Sequence, residues 1–161
     1  RFPSVARPLL TLPRQRNIMK TADTSTLEPM QLSNENVLQL PLGLLGFEQF
    51  KRYELLSRPE EAPFLWLQVL DQPDLAFIVV APTAVLPDYE PQISDEDVAF
   101  LDLRTPADAL VFNIVTLRGR NNATVNLKGP VLVNRRTLVG KQIIPLNAAD
   151  LPVCQPISVT A

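Results

Sequence analysis

The sequence contains no histidine, one cysteine, and five glycines against sixteen prolines. Each scarcity removes a class of chemistry or architecture. Without histidine there is no Ser–His or Cys–His catalytic pair, and the commonest transition-metal ligand is missing. A single thiol, Cys154, forms no intrachain disulfide and lends no support to an oxidising compartment. No apolar run approaches the roughly 20 residues that span a bilayer as a helix. The first twenty residues hold Arg1, Arg7, Arg14, Arg16 and Lys20 but no long apolar core, which makes a poor signal peptide. No GxSxG, P-loop, Rossmann or EF-hand pattern occurs, and the GLLG at 43–46 has the wrong spacing for a phosphate cradle. Proline fixes φ and removes a backbone donor, so sixteen of them exclude long helices.

What is present reads as short strands. The most informative stretch is 64–90, FLWLQVLDQPDLAFIVVAPTAVLPDYE. Two apolar segments, 64–70 and 75–81, flank the turn-forming Asp71-Gln72-Pro73-Asp74 and predict a β-hairpin. Further strands are expected at 37–40, 53–56, 109–117, 123–127, 131–134 and 138–144, with Gly140 a bulge or bend. Gly43 and Gly46 mark a turn with positive φ, and Leu42, Leu44, Leu45 and Phe47 are expected to plug the core beside it. Ser94 followed by Asp95, Glu96 and Asp97 predicts the start of a helix of about two turns. Residues 105–108 are expected to form a turn or a short helical cap. The sum is an all-β fold: a small antiparallel β-barrel-like domain, or a sandwich, with one short helix. Three regions follow. Residues 1–35 are a poorly ordered or extraneous extension, in which Met19 is a candidate start. Residues 36–147 are the domain, and 148–161 a C-terminal tail.

Charge is divided along the chain. Residues 48–102 hold twelve acids and three bases, a net of −9, whereas 103–161 hold seven bases and two acids, a net of +5. Either the halves steer partners by long-range fields, or they fold together and partly cancel. The carboxylate pairs Asp71/Asp74 and Asp88/Glu90 lie in loops beside prolines, where acids are more often solvated than catalytic. Arg118, Arg120, Lys128, Arg135, Arg136 and Lys141 lie on hairpin loops, where RNA could bind. Phe112 is the only aromatic nearby, so stacking platforms are lacking. Asp88-Tyr89-Glu90, between Pro87 and Pro91, reads as a rigid display of one aromatic and two acids for a protein partner. The competing reading is that Tyr89 covers the end of the barrel.

Four ordered blocks carry a resemblance: LGLLGFEQF at 42–50, WLQ with DxPxLAF and PDYE within 64–90, TVNLKGPVLVN at 124–134, and GKQII at 140–144. Together they resemble the flagellar assembly factor FliW family over about residues 37–146. The resemblance implies a cytoplasmic, non-enzymatic protein with no cofactor or metal and an antiparallel β-barrel-like fold. It implies two partners, flagellin and the RNA-binding translational regulator CsrA, with relief of CsrA repression of flagellin mRNA. No direct nucleic-acid or membrane partner is implied. The contact residues expected on this footing are Gln68, Asp71, Asp74, Asp88, Tyr89 and Glu90, followed by Asn126 and Asn134, which could equally hold loop backbone. The chain departs from the family pattern at Leu42, at Leu45, and at Ile144-Pro145-Leu146, where relatives more often carry a tyrosine and a basic residue.

Overall fold

The structure, a computed structural model, describes residues 37–158. The extension at 1–35 and the candidate start Met19 lie outside the described residues. The central hairpin forms as its composition dictates. Strands β1 (Val37–Gln39), β2 (Arg52–Ser57), β3 (Phe64–Val69) and β4 (Ala76–Val80) pair antiparallel in sequence order. The β3–β4 register runs from Phe64↔Val80 to Gln68↔Ala76. Its turn is closed by Val69 N–H to Leu75 O at 3.0 Å and Leu75 N–H to Gln72 O at 2.9 Å.

β5 (Ala109–Leu117) is the strand on which the rest depends. It meets β4 at Asn113–Ile114, β6 (Asn122–Val125) along Val115–Leu117, and β7 (Val131–Asn134) along Ala109–Phe112. β8 (Gly140–Gln142) pairs with β7, and β9 (Gln155–Ser158) pairs with β6. Every one of these pairings is antiparallel, and one short helix, α1 (Asp95–Phe100), completes the all-β fold expected from sequence. The sheet does not close into a barrel. A single parallel bridge, Gln39 to Val139, joins β1 to the start of β8, with Gln39 N–H donating to Leu138 O at 2.8 Å.

Two apolar cores lie on the two faces of β5. Alternate residues Ala109, Val111 and Val115 enter one core with Tyr89, Ile93, Leu101, Leu127 and Ile143. Leu110 and Phe112 enter the other with Tyr53, Leu67, Val79 and Val133. This double burial explains why ALVFNIVTL is almost continuously apolar rather than alternating.

α1 begins as predicted: Ser94 Oγ accepts from Asp97 N–H at 3.1 Å, and three acids occupy its first turn. Pro106–Asp108 forms a 3-10 turn, with Asp108 Oδ2 accepting from Arg104 N–H at 2.8 Å and Thr105 N–H at 3.2 Å. These backbone hydrogen bonds are the main reason the Asp108 carboxyl titrates below its usual range.

Two expectations are corrected. Residues 148–161 are not merely a tail: Ala148–Asp150 form a 3-10 turn, and β9 adds to β6 with Thr124↔Pro156. Pro156 hid this strand, yet β9 is the edge of its sheet, where a missing N–H is tolerated. Gly140 is a close approach rather than a bulge, since a Cβ there would meet Val133 Cγ2 at 2.8 Å and Leu132 O at 2.9 Å.

The 43–46 turn has positive φ at Gly43 (70°) and Gly46 (89°), as expected. It admits fewer side chains to the core than expected. Leu44 is buried and Phe47 half-buried, whereas Leu42 and Leu45 are exposed. The two glycines differ in what surrounds them. A Cβ on Gly43 would lie 2.6 Å from Glu48 Cα, while one on Gly46 meets nothing within 4 Å. Gly43→Ala is therefore expected to cost about 3 kcal/mol, left-handed strain plus a backbone clash, and Gly46→Ala about 1 kcal/mol from strain alone. Equal melting temperatures for the two variants would refute the distinction.

Candidate partner-binding surface

The expected contact residues fall into two groups. The first supports backbone. Gln68 is half-buried on β3, and its Nε2 donates to Pro73 O and Leu75 O, both at 3.0 Å, which staples the β3–β4 turn. Asn126 Oδ1 accepts from Lys128 N–H at 2.9 Å and shapes the β6–β7 turn. Asn134 is wholly buried. Its Nδ2 donates to Leu101 O (2.7 Å) and Asp102 O (3.0 Å), and its Oδ1 accepts from Arg136 N–H (2.7 Å) and Thr137 N–H (3.3 Å).

Tyr89 joins this group: of the two readings open from the sequence, display and covering the core, its burial supports the second. Its side chain is 1 % exposed, packed in the first core, and its hydroxyl donates to Leu127 O at 2.8 Å. Burial pushes the Tyr89 hydroxyl pKa well up. The reason lies in the chain path. Leu86 O accepts from Tyr89 N–H at 2.9 Å, and this turn points the ring inward while Asp88 and Glu90 on either side stay exposed.

The second group is displayed. Asp71, Asp74, Asp88 and Glu90 are exposed. Asp71 pairs with Arg52 at the foot of β2. Asp74 shares its turn, whereas Asp88 and Glu90 lie on the segment that leads to α1. Among the described residues no group of three or more acids or thiols could hold a metal ion. Chemically these are solvated anions suited to electrostatic recognition.

The halves of opposite charge do partly cancel. Asp97, buried on α1, pairs with Lys141 of β8, and the Arg136 guanidinium lies within 3.4 Å of Asp102 and 3.3 Å of Asp108. The cations do not gather into one patch. Arg118 and Arg120 stand past the far end of β5, and Arg135 and Arg136 beside its start, about 27 Å away at the usual strand rise. That separation, with Arg136 already paired, removes the single basic rim an RNA site would need.

Sequence reasoning missed a set of exposed apolar side chains: Leu45, Phe100, Ile144 and Leu146. Ile144-Pro145-Leu146 carried the available signal, because a proline three residues beyond the end of a strand stops it from continuing.

The model of the family described as FliW protein matches residues 21–157. The flagellar assembly factor FliW of Leptospira interrogans is 37% identical over 126 residues, which cover 77% of this chain and 84% of that protein. The flagellar assembly factor FliW of Natranaerobius thermophilus is 36% identical over 130 residues, covering 80% of this chain and 85% of that protein. A crystal structure of the flagellar assembly factor FliW matches with a TM-score of 0.69 and 24% identity, over 82% of this chain and 91% of that one. This last likeness is one of fold.

Proposed function

The chain belongs to the FliW family of flagellar assembly factors, and on that premise we propose that it binds flagellin and the translational regulator CsrA in the cytoplasm. Holding CsrA relieves its repression of flagellin mRNA, and flagellin competes for the same factor, so flagellin synthesis follows flagellin level. The observation that carries the reading is the family match across residues 21–157. A partner switch needs surfaces rather than a reactive group, which suits a chain without histidine. The exposed Asp71, Asp74, Asp88 and Glu90 are the proposed contacts, and they complement a regulator that is basic where it binds RNA. Gln68, Tyr89, Asn126 and Asn134 serve by holding the backbone beneath them.

The test is co-purification with flagellin and CsrA from the same organism, followed by competition between the two. Capture of neither would sink the reading. Charges at the rim of an interface contribute modestly, so the Asp88→Asn/Glu90→Gln double variant is expected to weaken CsrA binding by about 1 kcal/mol, roughly fivefold, mainly through the association rate. Its melting temperature should not move, since both side chains are exposed.

A further inference from the structure

Residues 92–100 and 141–146 run antiparallel to each other and are clasped at both ends. At one end Gln92 O accepts from Leu146 N–H at 2.8 Å, and Asn147 Oδ1 accepts from Gln92 N–H at 2.9 Å. At the other end Lys141 pairs with Asp97 and lies over the Phe100 ring, 5.0 Å from its centroid. Five residues of extended chain separate the clasps, about 16 Å.

Three large apolar side chains stand along this seam. Phe100 is 43% exposed, Ile144 71% and Leu146 59%. Pro145 is buried between the last two and pins them outward. Leu45, whose N–H donates to Gln142 Oε1 at 2.8 Å, adjoins from the 43–46 turn. Large exposed apolar side chains brought together along one seam and bordered by acids are the kind of surface that a partner covers.

The rim fixes the sign of the partner. Residues 59–103 and 142–158, within which the seam segments 92–100 and 142–146 lie, contain no lysine or arginine. Glu90 and Glu96 are exposed beside it, and Lys141 at its border is occupied by Asp97 and Phe100. Nucleic acid would meet like charge here. A second copy of the chain docked face to face would set acids against acids.

We propose that this seam is the docking surface for a basic amphipathic segment of a protein partner, with lysines or arginines over Glu90 and Glu96 and apolar side chains on Phe100, Ile144 and Leu146. The assignment deepens the partner-binding reading above and rests on it for taking the ligand to be a protein.

The experiment titrates the full chain with an 18-residue Lys/Leu amphipathic peptide and with its Glu/Leu counterpart, read by fluorescence anisotropy of the labelled peptides. The Lys/Leu peptide should bind saturably and the Glu/Leu peptide should not. Glu90→Lys/Glu96→Lys and, separately, Phe100→Ser/Leu146→Ser should each weaken binding tenfold or more. Glu60→Lys, an exposed acid on the β2–β3 connection and outside the proposed contacts, should stay within twofold of the parent chain. Thermal melts of each variant confirm that the fold is kept. Absence of saturable binding, equal binding by the seam variants, or an equal loss in the Glu60 variant would overturn the assignment. A dimer in sedimentation that the seam variants dissolve would also overturn it, in favour of a second copy. A chain that binds the peptide at the seam but captures neither flagellin nor CsrA would overturn the functional reading and leave the surface standing.

Discussion

Replacing Tyr89 with alanine is expected to lower stability by about 4 kcal/mol, the range for truncating a buried aromatic with partial collapse of the cavity. The ring is 1 % exposed among Ile93, Leu101, Leu127 and Val111. Its hydroxyl supplies a donor to Leu127 O. For a domain of about 120 residues that loss amounts to roughly 15 °C in melting temperature. Tyr89→Phe separates the two contributions: it keeps the ring, strands the Leu127 carbonyl, and should cost about 1 kcal/mol. Thermal unfolding followed by circular dichroism measures both. If Tyr89→Ala melts with the parent chain while partner binding disappears, the core assignment fails and Tyr89 is a contact residue after all. Neither tyrosine adds pH dependence near neutrality, because burial raises the Tyr89 hydroxyl pKa and pushes that of Tyr53 up to about 12.

Asn134→Ala is expected to cost nearly as much, about 3 to 4 kcal/mol, for a different reason. The side chain joins three pieces of backbone: the end of α1, the positive-φ residue Asp102 (φ 53°), and the turn into β8. Alanine leaves buried donors and acceptors without partners, at about 1–3 kcal/mol each where water does not reach them. Asn134→Asp should not rescue, since it keeps the acceptor for Arg136 N–H but points a charge at two carbonyl oxygens. Asn126→Ala provides the contrast. It gives up one hydrogen bond at a half-buried turn and should cost about 1 kcal/mol. Urea titration of the three variants checks the order; a loss below 1 kcal/mol for Asn134→Ala would show that the network is dispensable.

How much of this was legible in the sequence depends on where each residue's partner lies. The β3–β4 hairpin and β5 were legible because their signals are local: turn residues between short apolar runs, and a run apolar throughout because both its faces are covered. The cap of α1 was legible for the same reason, its serine and acids being adjacent in the chain. Tyr89 was not, because its acceptor is the carbonyl of Leu127, 38 residues away. A tyrosine between two acids and two prolines carries no mark that distinguishes display from burial. Leu45 failed in the opposite sense: its apolar character suggested core, but the positive-φ glycines turn it outward and Leu44 takes the interior place. β9 was concealed by Pro156, which breaks a strand in general and is harmless on this edge.

The position of β5 has a consequence for how the molecule comes apart. One strand forms a wall of both apolar cores, with side chains alternating between them. Losing either core removes the support that holds β5 flat against the other. The two cores are therefore not two foldons, and no half of the described chain is a refuge of residual order when the other melts. A fault in β5 reaches β4 and β7, which pair with it on either side, and through them the β3–β4 turn and β8.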